Sequence, residues 1–174
     1  MFDRLSELYA TGHNGEPPEL FGDQRLEGIT QFTPAAVLAA ITERDGEPGV
    51  LLLHRPSNMR SHPGQIAFPG GKIDATDASP MDAALREAHE EVGLKRQFIE
   101  PIGYLDLYGT AFGFRILPTV ARVDPDFTTA LNPSEVVEAF EVPLAFLMDA
   151  GNHALHSRDW SGVKRNYYAM PFGE

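Results

Sequence analysis

Apolar and polar residues follow two different periods along this chain, and these periods predict strands in some stretches and helices in others. Short apolar runs bounded by glycine, proline or aspartate predict six strands: 34–42, 50–55, 64–68, 99–108, 112–123 and 163–170. A tight turn is predicted between the first two, at Asp45-Gly46. Apolar residues at helical spacing predict a short amphipathic helix over 2–9, outside the main fold, and another short helix near 143–149.

The clearest helical signal covers residues 80–92. Ser79 can cap its start, Pro80 suits its first position, and Gly93 can end it in a left-handed conformation. One side of this helix is apolar and is expected to face the core. That side carries Met81, Ala84, Leu85, Ala88 and Val92.

The opposite side of the same helix carries three carboxylates. Glu87, Glu90 and Glu91 stand at i, i+3 and i+4, within an arc roughly 100° wide. Because like charges at these spacings repel each other by about 0.2–0.5 kcal/mol per pair, their grouping indicates a bound cation. Oxygen ligands of this kind suit a hard divalent ion, chiefly Mg²⁺. The alternative is a solvated acidic face on an ordinary surface helix, and the triplet alone would favour that interpretation.

Length and composition favour a single acidic domain. The chain has 174 residues, is 43% hydrophobic, and has a net charge of −11 from 14 basic and 25 acidic residues. We expect one domain over 34–174, preceded over 1–33 by an N-terminal helix and linker extension. The acidic balance argues against nucleic-acid and anionic-membrane partners. The sequence has no cysteine to form a disulfide or a thiolate zinc site.

The sequence shows no pattern of export or membrane insertion. No apolar run approaches the ~20 residues of a membrane span, and residues 1–8 lack the basic and apolar regions of a signal peptide. Together with the lack of cysteine, these features predict a cytoplasmic protein.

The helix and the glycines before it resemble the Nudix box. The family form is Gly, five residues, Glu, seven residues, then Arg-Glu-apolar-x-Glu-Glu-x-Gly-apolar, and residues 86–94 match every defined position of its second half. In the first half, Asp77 stands where the family has Glu, and eight residues separate it from Arg86. The resemblance implies an α/β (α+β) fold, the Nudix α/β/α sandwich with a mixed β-sheet. It also implies a Mg²⁺ site, with Mn²⁺ as an alternative, whose ligands are Glu87, Glu90, Glu91 and the backbone carbonyl of Gly70.

The preceding segment, residues 51–71, resembles the second signature of the coenzyme A pyrophosphatase branch of this family. The two arginines of that signature, its glycine and its Phe-Pro-Gly-Gly fall at the right spacings, whereas Leu53 and Pro56 replace a threonine and a serine. The resemblance covers most of residues 34–171. Chains of this branch usually continue into another strand and a closing helix, which we expect to be absent after Glu174, either because this member is shorter or because the sequence ends early.

The branch signature implies which residues bind the substrate. Arg55, Arg60 and Lys72 would contact the 3′-phosphate and the diphosphate of coenzyme A. His62 would help to bind or position the substrate. Arg55 could instead be a surface charge at the end of a strand, and His62 a simple loop residue.

The catalytic residues that the resemblance implies are Glu87, Glu90, Arg86 and Glu135. Arg86 lies beside Glu90 on the helical wheel and could hold that carboxylate in place. The identity of the general base is left open. Glu87 and Glu90 are the candidates in the helix, and Glu135 and Glu138 are the candidates in a later loop. Glu135 could instead be an acid at the start of a helix, stabilised there by the helix dipole.

The predicted activity is Mg²⁺-dependent hydrolysis of the diphosphate bond of coenzyme A or its derivatives, by direct attack of water on phosphorus. The products would be 3′,5′-ADP and 4′-phosphopantetheine or its acyl form. One alternative is a Nudix hydrolase of another nucleoside diphosphate derivative, such as ADP-ribose, a dinucleotide or a modified nucleoside triphosphate. A more distant alternative is a non-catalytic, nucleotide-sensing Nudix-like domain. In each case the partner is a small molecule, and a homodimer is left open.

Overall fold

The computed structural model describes residues 2–12, 21–22, 29–59, 62–160 and 163–173. In these residues a large mixed β-sheet lies between helices. The helices are α1 (Phe2–Gly12), α2 (Pro80–Val92) and α3 (Leu144–Met148), with short 3₁₀-helices at Arg96–Phe98 and Ala150–Asn152. The strands are β1 (Phe21–Gly22), β2 (Thr33–Arg44), β3 (Glu47–His54), β4 (Ile66–Ala67), β5 (Gly70–Lys72), β6 (Ile99–Tyr104), β7 (Tyr108–Gly109), β8 (Phe114–Val123), β9 (Glu138–Pro143), β10 (Ala154–Trp160) and β11 (Val163–Ala169).

Nine of these strands form one sheet, in the order β1-β7-β8-β2-β3-β4, with β5 also paired to β2, β6 to β8 and β9 to β3. β2 runs parallel to β8, and β1 runs parallel to β7. The other pairs in this sheet are antiparallel. β10 and β11 form a separate antiparallel hairpin. The mixed sheet with its covering helices confirms the predicted fold class.

The main core lies between α2 and one face of the sheet. Successive residues of a strand point to opposite faces, and Ala36, Leu38 and Ala40 of β2 point toward α2 and are fully buried. The apolar side of α2 is buried against them, and its small alanines let the helix approach the sheet closely. The prediction of which side of this helix faces the core is therefore confirmed.

The N-terminal helix α1 covers part of the other sheet face. Phe2 is buried beside Ile41 and Val120, and the guanidinium of Arg122 lies 4.9 Å from the centre of its ring. The prediction that this helix stands outside the main fold is therefore wrong, because Phe2 and Leu5 pack against the sheet. β1, which pairs with β7, likewise falls inside the predicted linker. The domain boundary between 33 and 34 stays a prediction.

The predicted strands are present, but some of their limits differ. Asp45 and Gly46 form the predicted turn, with φ angles of 52° and 81°. The run 99–108 is broken into β6 and β7, and the run 64–68 shortens to β4. β5, β9 and β10 were not predicted. Within the described ranges, no helix is both long and apolar enough to cross a membrane.

The segment between β3 and β4 leaves the sheet and returns to it at one point. Arg55 donates its backbone N–H to the carbonyl oxygen of Gln65 at 2.9 Å, and His54 pairs with Ile66 in the adjoining ladder. Residues 55–65 therefore connect β3 to β4, and their first and last residues are hydrogen-bonded to each other. This segment is termed the signature loop, because it carries most of the branch signature.

Candidate active site

Helix α2 carries the predicted carboxylates and is fixed at both ends by local hydrogen bonds. The Ser79 hydroxyl accepts the N–H of Asp82 at 3.1 Å and donates to the carboxylate of Asp82 at 2.7 Å. At the other end Gly93 is left-handed, with a φ of 71°, and donates its N–H to the carbonyl of His89 at 2.9 Å. A Cβ on Gly93 would lie 2.8 Å from the Cβ of Ala130. The predicted caps are confirmed, and they hold the carboxylates at fixed positions along the helix.

The guanidinium of Arg86 lies at the centre of the site. Its Nε and Nη2 bind the two oxygens of Asp77, both at 3.0 Å, in a bidentate ion pair. Its Nη1 donates to Glu87 at 2.9 Å and to Glu90 at 3.1 Å. Nη2 also donates to the carbonyl of Lys72 at 3.0 Å. The predicted contact between Arg86 and Glu90 is present, and the same guanidinium ties the helix to the preceding loop.

The carboxylate of Glu87 lies directly over the backbone of Gly71. A Cβ on Gly71 would come within 2.4, 2.5 and 2.6 Å of the Cδ, Oε1 and Oε2 atoms of Glu87, so any side chain there would displace the carboxylate. Burial raises the pKa of Glu87 above its ordinary value, the hydrogen bond from Arg86 opposes this, and the charges of Glu90 and Glu135 add to it. The glycine pair of the loop therefore leaves room for a carboxylate of the helix.

Glu91 differs from the other two carboxylates because it is buried. Glu91 is 1% exposed, and its Oε1 accepts from Nη1 of Arg55 at 3.0 Å while its Oε2 accepts from the N–H of Gly70 at 2.9 Å. Burial raises the pKa of Glu91 to about 7, although both donors favour the ionised form. Both oxygens of Glu91 are committed to protein donors, and one of these donors is an arginine that was predicted to bind phosphate.

The three helix carboxylates converge only in part. Glu87 and Glu90 share one nitrogen of Arg86, so these two oxygen donors lie side by side and fit a hard divalent cation. Glu91 points instead to Gly70. In the part of the chain that the structure describes, no three His, Cys, Asp or Glu side chains are grouped to hold an ion. The fit to a metal therefore rests on Glu87 and Glu90, and Glu91 and Gly70 stay predicted ligands.

The loop before β9 brings Glu135 into the neighbourhood of these carboxylates. The N–H of Asn132 donates to the carbonyl of Glu91 at 2.9 Å, and the side-chain amide of Asn132 donates to Oε1 of Glu135 at 3.4 Å. Residues 133–135 form a turn, so the alternative that Glu135 begins a helix is wrong. The charge of Glu135 raises the pKa of Glu87, which means that the two groups share one electrostatic environment.

The NUDIX domain model matches residues 32–161 of this chain. The chain belongs to the Nudix family. It is 48% identical over 111 residues to an uncharacterized Nudix hydrolase NudL of Enterobacter sp. (strain 638), and the match covers 64% of this chain and 57% of the relative. The chain therefore spans less than two thirds of the length of that relative.

Solved structures that share the Nudix fold with this chain include the following two. A C. elegans Ap4A hydrolase binary complex is 20% identical with a TM-score of 0.55, over 67% of this chain and 83% of the other. The NUDIX domain of Shewanella oneidensis NrtR, complexed with ADP ribose, is 23% identical with a TM-score of 0.51, over 68% of this chain and 76% of the other. At these identities the likeness shows the fold alone. Nudix hydrolases generally depend on a divalent metal ion, which agrees with the paired carboxylates on the box helix.

The basic residues predicted to bind substrate have different surroundings in the Nudix domain. The side chain of Arg55 is 17% exposed and lies against Glu91, so the alternative that Arg55 is a surface charge is wrong. Lys72 is exposed at the end of β5. Arg60 lies outside the described residues. The contacts of all three residues with phosphate stay predictions.

His62 joins the signature loop to a second loop. It is exposed, its Nδ1 lies 2.9 Å from the side-chain oxygen of Gln65, and its ring meets the ring of Phe112 edge-on at 5.7 Å. Phe112 belongs to the turn between β7 and β8, so two loops of the Nudix domain are in contact through these rings. The role of His62 in positioning substrate stays a prediction.

Asp77 was not among the predicted site residues, although it stands where the Nudix box has a glutamate. The side chain of Asp77 is 6% exposed, and it is the bidentate partner of Arg86. The hydrogen bonds from Arg86 hold the pKa of Asp77 below its ordinary value. Its acidic character at this position in the box was the signal that could have identified it. Its function is to hold the arginine that in turn holds two carboxylates.

We expect Asp77→Asn to lower the free energy of unfolding by about 1–3 kcal/mol at neutral pH, because hydrogen bonds to a charged, buried group are weakened. The lowered pKa means that the ionised carboxyl of Asp77 stabilises the folded state. This stabilisation is complete above pH 3.8, the ordinary pKa of the group, and is lost as the pH falls through its pKa in the folded protein. Urea unfolding from about pH 7 to about pH 2 should show the difference between wild type and variant closing at the acid end. A difference that stays constant to the lowest pH would contradict this.

Proposed function

We propose that this protein hydrolyses the diphosphate bond of coenzyme A or its derivatives in a Mg²⁺-dependent reaction. The products are 3′,5′-ADP and 4′-phosphopantetheine, or its acyl form when the substrate is a thioester. The observation that carries the proposal is the pairing of Glu87 and Glu90 on one nitrogen of Arg86, beside the Phe-Pro-Gly-Gly loop of a Nudix domain. Coenzyme A as the substrate is supported by the signature over residues 51–71.

Hydrolysis of a diphosphate requires that the negative charge of its oxygens be offset, since these oxygens repel a nucleophile. A bound Mg²⁺ would supply positive charge at the diphosphate and stabilise the leaving group. Glu87 and Glu90 would hold the ion, and Arg86 keeps their carboxylates together on the helix. Water attacks phosphorus directly, and the protein forms no covalent bond with the substrate.

Glu135 is the best-placed residue to accept the proton from water. It is partly exposed on a loop, and its charge acts on Glu87 within the site. Glu87 and Glu90 are already engaged by Arg86. Glu138 lies exposed on β9. The loop acid therefore combines a charge that acts on Glu87 with a carboxylate that is not used to hold the cation.

The test is incubation of the purified chain with coenzyme A and Mg²⁺, with and without a chelator, followed by chromatography and mass analysis. We expect 3′,5′-ADP and 4′-phosphopantetheine to form only in the samples without chelator, where Mg²⁺ is available to the protein. Dephospho-coenzyme A, which lacks the 3′-phosphate, is the matched substrate. Its kcat/KM should be lower by about tenfold or more, because a hydrogen bond to a charged group contributes about 1.5–3 kcal/mol. Equal values for the two substrates would remove the 3′-phosphate from recognition.

Another nucleoside diphosphate derivative is the alternative substrate. Leu53 and Pro56 depart from the coenzyme A signature, and the proteins of similar fold include an Ap4A hydrolase and an ADP-ribose complex. Cleavage of ADP-ribose or a dinucleotide, without cleavage of coenzyme A, would keep the metal site and discard coenzyme A as the substrate. A nucleotide-sensing domain without activity is disfavoured because all three box carboxylates are present. Nucleotide binding with inertness toward every substrate would favour it.

A further inference from the structure

The side chain of Arg55 contacts the box helix rather than solvent. Arg55 is the first residue of the signature loop, and its Nη1 donates to Oε1 of Glu91 at 3.0 Å, with 17% and 1% of the two side chains exposed. Its Nε is buried and has no hydrogen-bond partner among the residues that the structure describes. A guanidinium that binds a phosphate group presents accessible N–H groups to it, whereas here Nε is buried and Nη1 is bonded to Glu91.

Glu91 connects this contact to the Phe-Pro-Gly-Gly loop. Its second oxygen accepts the N–H of Gly70 at 2.9 Å, while the carbonyl of Pro69 accepts a backbone hydrogen bond of 2.7 Å from β2. The peptide group between Pro69 and Gly70 is therefore held on both sides, by the helix at its N–H and by the sheet at its C=O. The next residue, Gly71, lies beneath the carboxylate of Glu87.

We propose that Arg55 is a positioning residue that acts through Glu91 on the glycine turn and so determines where Glu87 lies. Removing one member of a buried ion pair leaves the other as an uncompensated charge. Without Arg55, the carboxylate of Glu91 is therefore expected to turn toward solvent and to release the N–H of Gly70. This role differs from the phosphate contact that the signature implies. Only its kinetic test rests on the proposed function.

A double-mutant cycle separates positioning from phosphate binding. Arg55→Ala, Glu91→Gln and the double variant are compared for kcat and KM on coenzyme A with Mg²⁺. Arg55→Ala should lower kcat by about 10–100-fold, the usual effect of removing a supporting contact in a metal site, and should change KM by less than about threefold. In the Glu91→Gln background it should cause little further loss, because its partner is already gone. Additive losses, or a rise in KM at unchanged kcat, would overturn the proposal.

Hydrogen exchange of the Gly70 amide tests the same contact without any substrate. Arg55→Ala should speed the exchange of this amide by on the order of tenfold, because its acceptor is no longer held in place. Exchange at the wild-type rate would overturn the positioning role. If the wild-type protein turns over no substrate, the proposed function fails, and the exchange of this amide still decides the role of Arg55.

Two further variants serve as matched controls. Arg96→Ala removes an exposed ion pair of 3.0 Å with Asp82 at the other end of the helix, and it should alter neither kcat nor the exchange of Gly70. Lys72→Ala removes an exposed cation that is predicted to contact phosphate, so it should raise KM and leave the exchange unchanged.

A conservative variant keeps the proposal testable if Arg55→Ala does not fold. Arg55→Lys keeps the charge but replaces the planar guanidinium with a single ammonium group. Arg55→Lys should retain part of kcat and part of the protection of the Gly70 amide from hydrogen exchange. Both quantities should fall by a similar factor. A fall in kcat with full protection of this amide would overturn the proposal.

Discussion

Glu90→Gln is expected to remove most of the turnover of this protein while leaving its fold intact. The side chain of Glu90 is 52% exposed and contacts Arg86 at 3.1 Å, and an exposed ion pair of this kind contributes little to stability. The same charge is one of two that would hold Mg²⁺ beside the diphosphate. Weaker binding of that ion would reduce the stabilisation of the transition state by several kcal/mol, which corresponds to a loss of at least about 100-fold in kcat. Steady-state kinetics at saturating Mg²⁺ and thermal unfolding measure the two properties.

His89→Gln is the matched control for this variant. His89 is exposed on the same helix and lies outside the carboxylate arc, so we expect wild-type kcat and Tm. Full turnover in purified Glu90→Gln would remove Glu90 from the site. Loss of turnover together with loss of the folded state would show that Glu90 has a structural role. That result would contradict the expectation that the variant keeps its fold.

Gly71→Ala is expected to cost much more activity than stability. The added Cβ would lie 2.4 Å from Cδ of Glu87, and this carboxyl group ends a flexible side chain that can rotate away. The free energy of unfolding should therefore change by less than about 1 kcal/mol. Displacement of the carboxylate by about 1 Å should lower kcat on the order of 100-fold. Kinetics and urea unfolding of one preparation measure both effects.

Gly49→Ala places a milder crowding against a carboxylate outside the site. Its Cβ would lie 3.2 Å from a carboxylate oxygen of Glu141, which pairs with Arg44 at 2.9 Å. We expect this variant to keep wild-type kcat, because neither residue belongs to the box helix or its loop. Equal losses of kcat in Gly49→Ala and Gly71→Ala would mean that the position of Glu87 is not the cause.

The features that the sequence predicts well depend on residues that are close together in the chain. Ser79 and Gly93 act on backbone groups within a few positions, so both ends of α2 could be placed from sequence. Arg86 and Glu90 are four residues apart on one helix, and their contact follows from that spacing. Family resemblance and local geometry therefore predict the same features of α2, because the residues involved lie close together on one helix.

The features that the sequence does not predict depend on distant segments. β5 consists of Gly-Gly-Lys, which has no apolar alternation, and only its pairing with β2 makes it a strand. Arg55 and Glu91 are 36 residues apart, and a basic residue at the end of a strand gives no sign of a buried partner. The burial of Phe2 likewise requires knowledge of which sheet face is left uncovered by α2. Such contacts are properties of the folded chain rather than of any local pattern.

The signature loop has a consequence for how new specificity can arise. Backbone hydrogen bonds from Arg55 to Gln65 at 2.9 Å and from Gly64 to Pro56 at 3.2 Å hold the two ends of this loop together, so we expect a change of sequence or length between them to leave the neighbouring ladder in place. Natural selection can therefore vary this part of the loop, which carries the predicted substrate contacts Arg60 and His62, while Arg86 and its carboxylates stay in place on α2. Under the proposed function, a protein with this division can acquire a different diphosphate substrate in small steps, each of which leaves the box helix and its carboxylates unchanged.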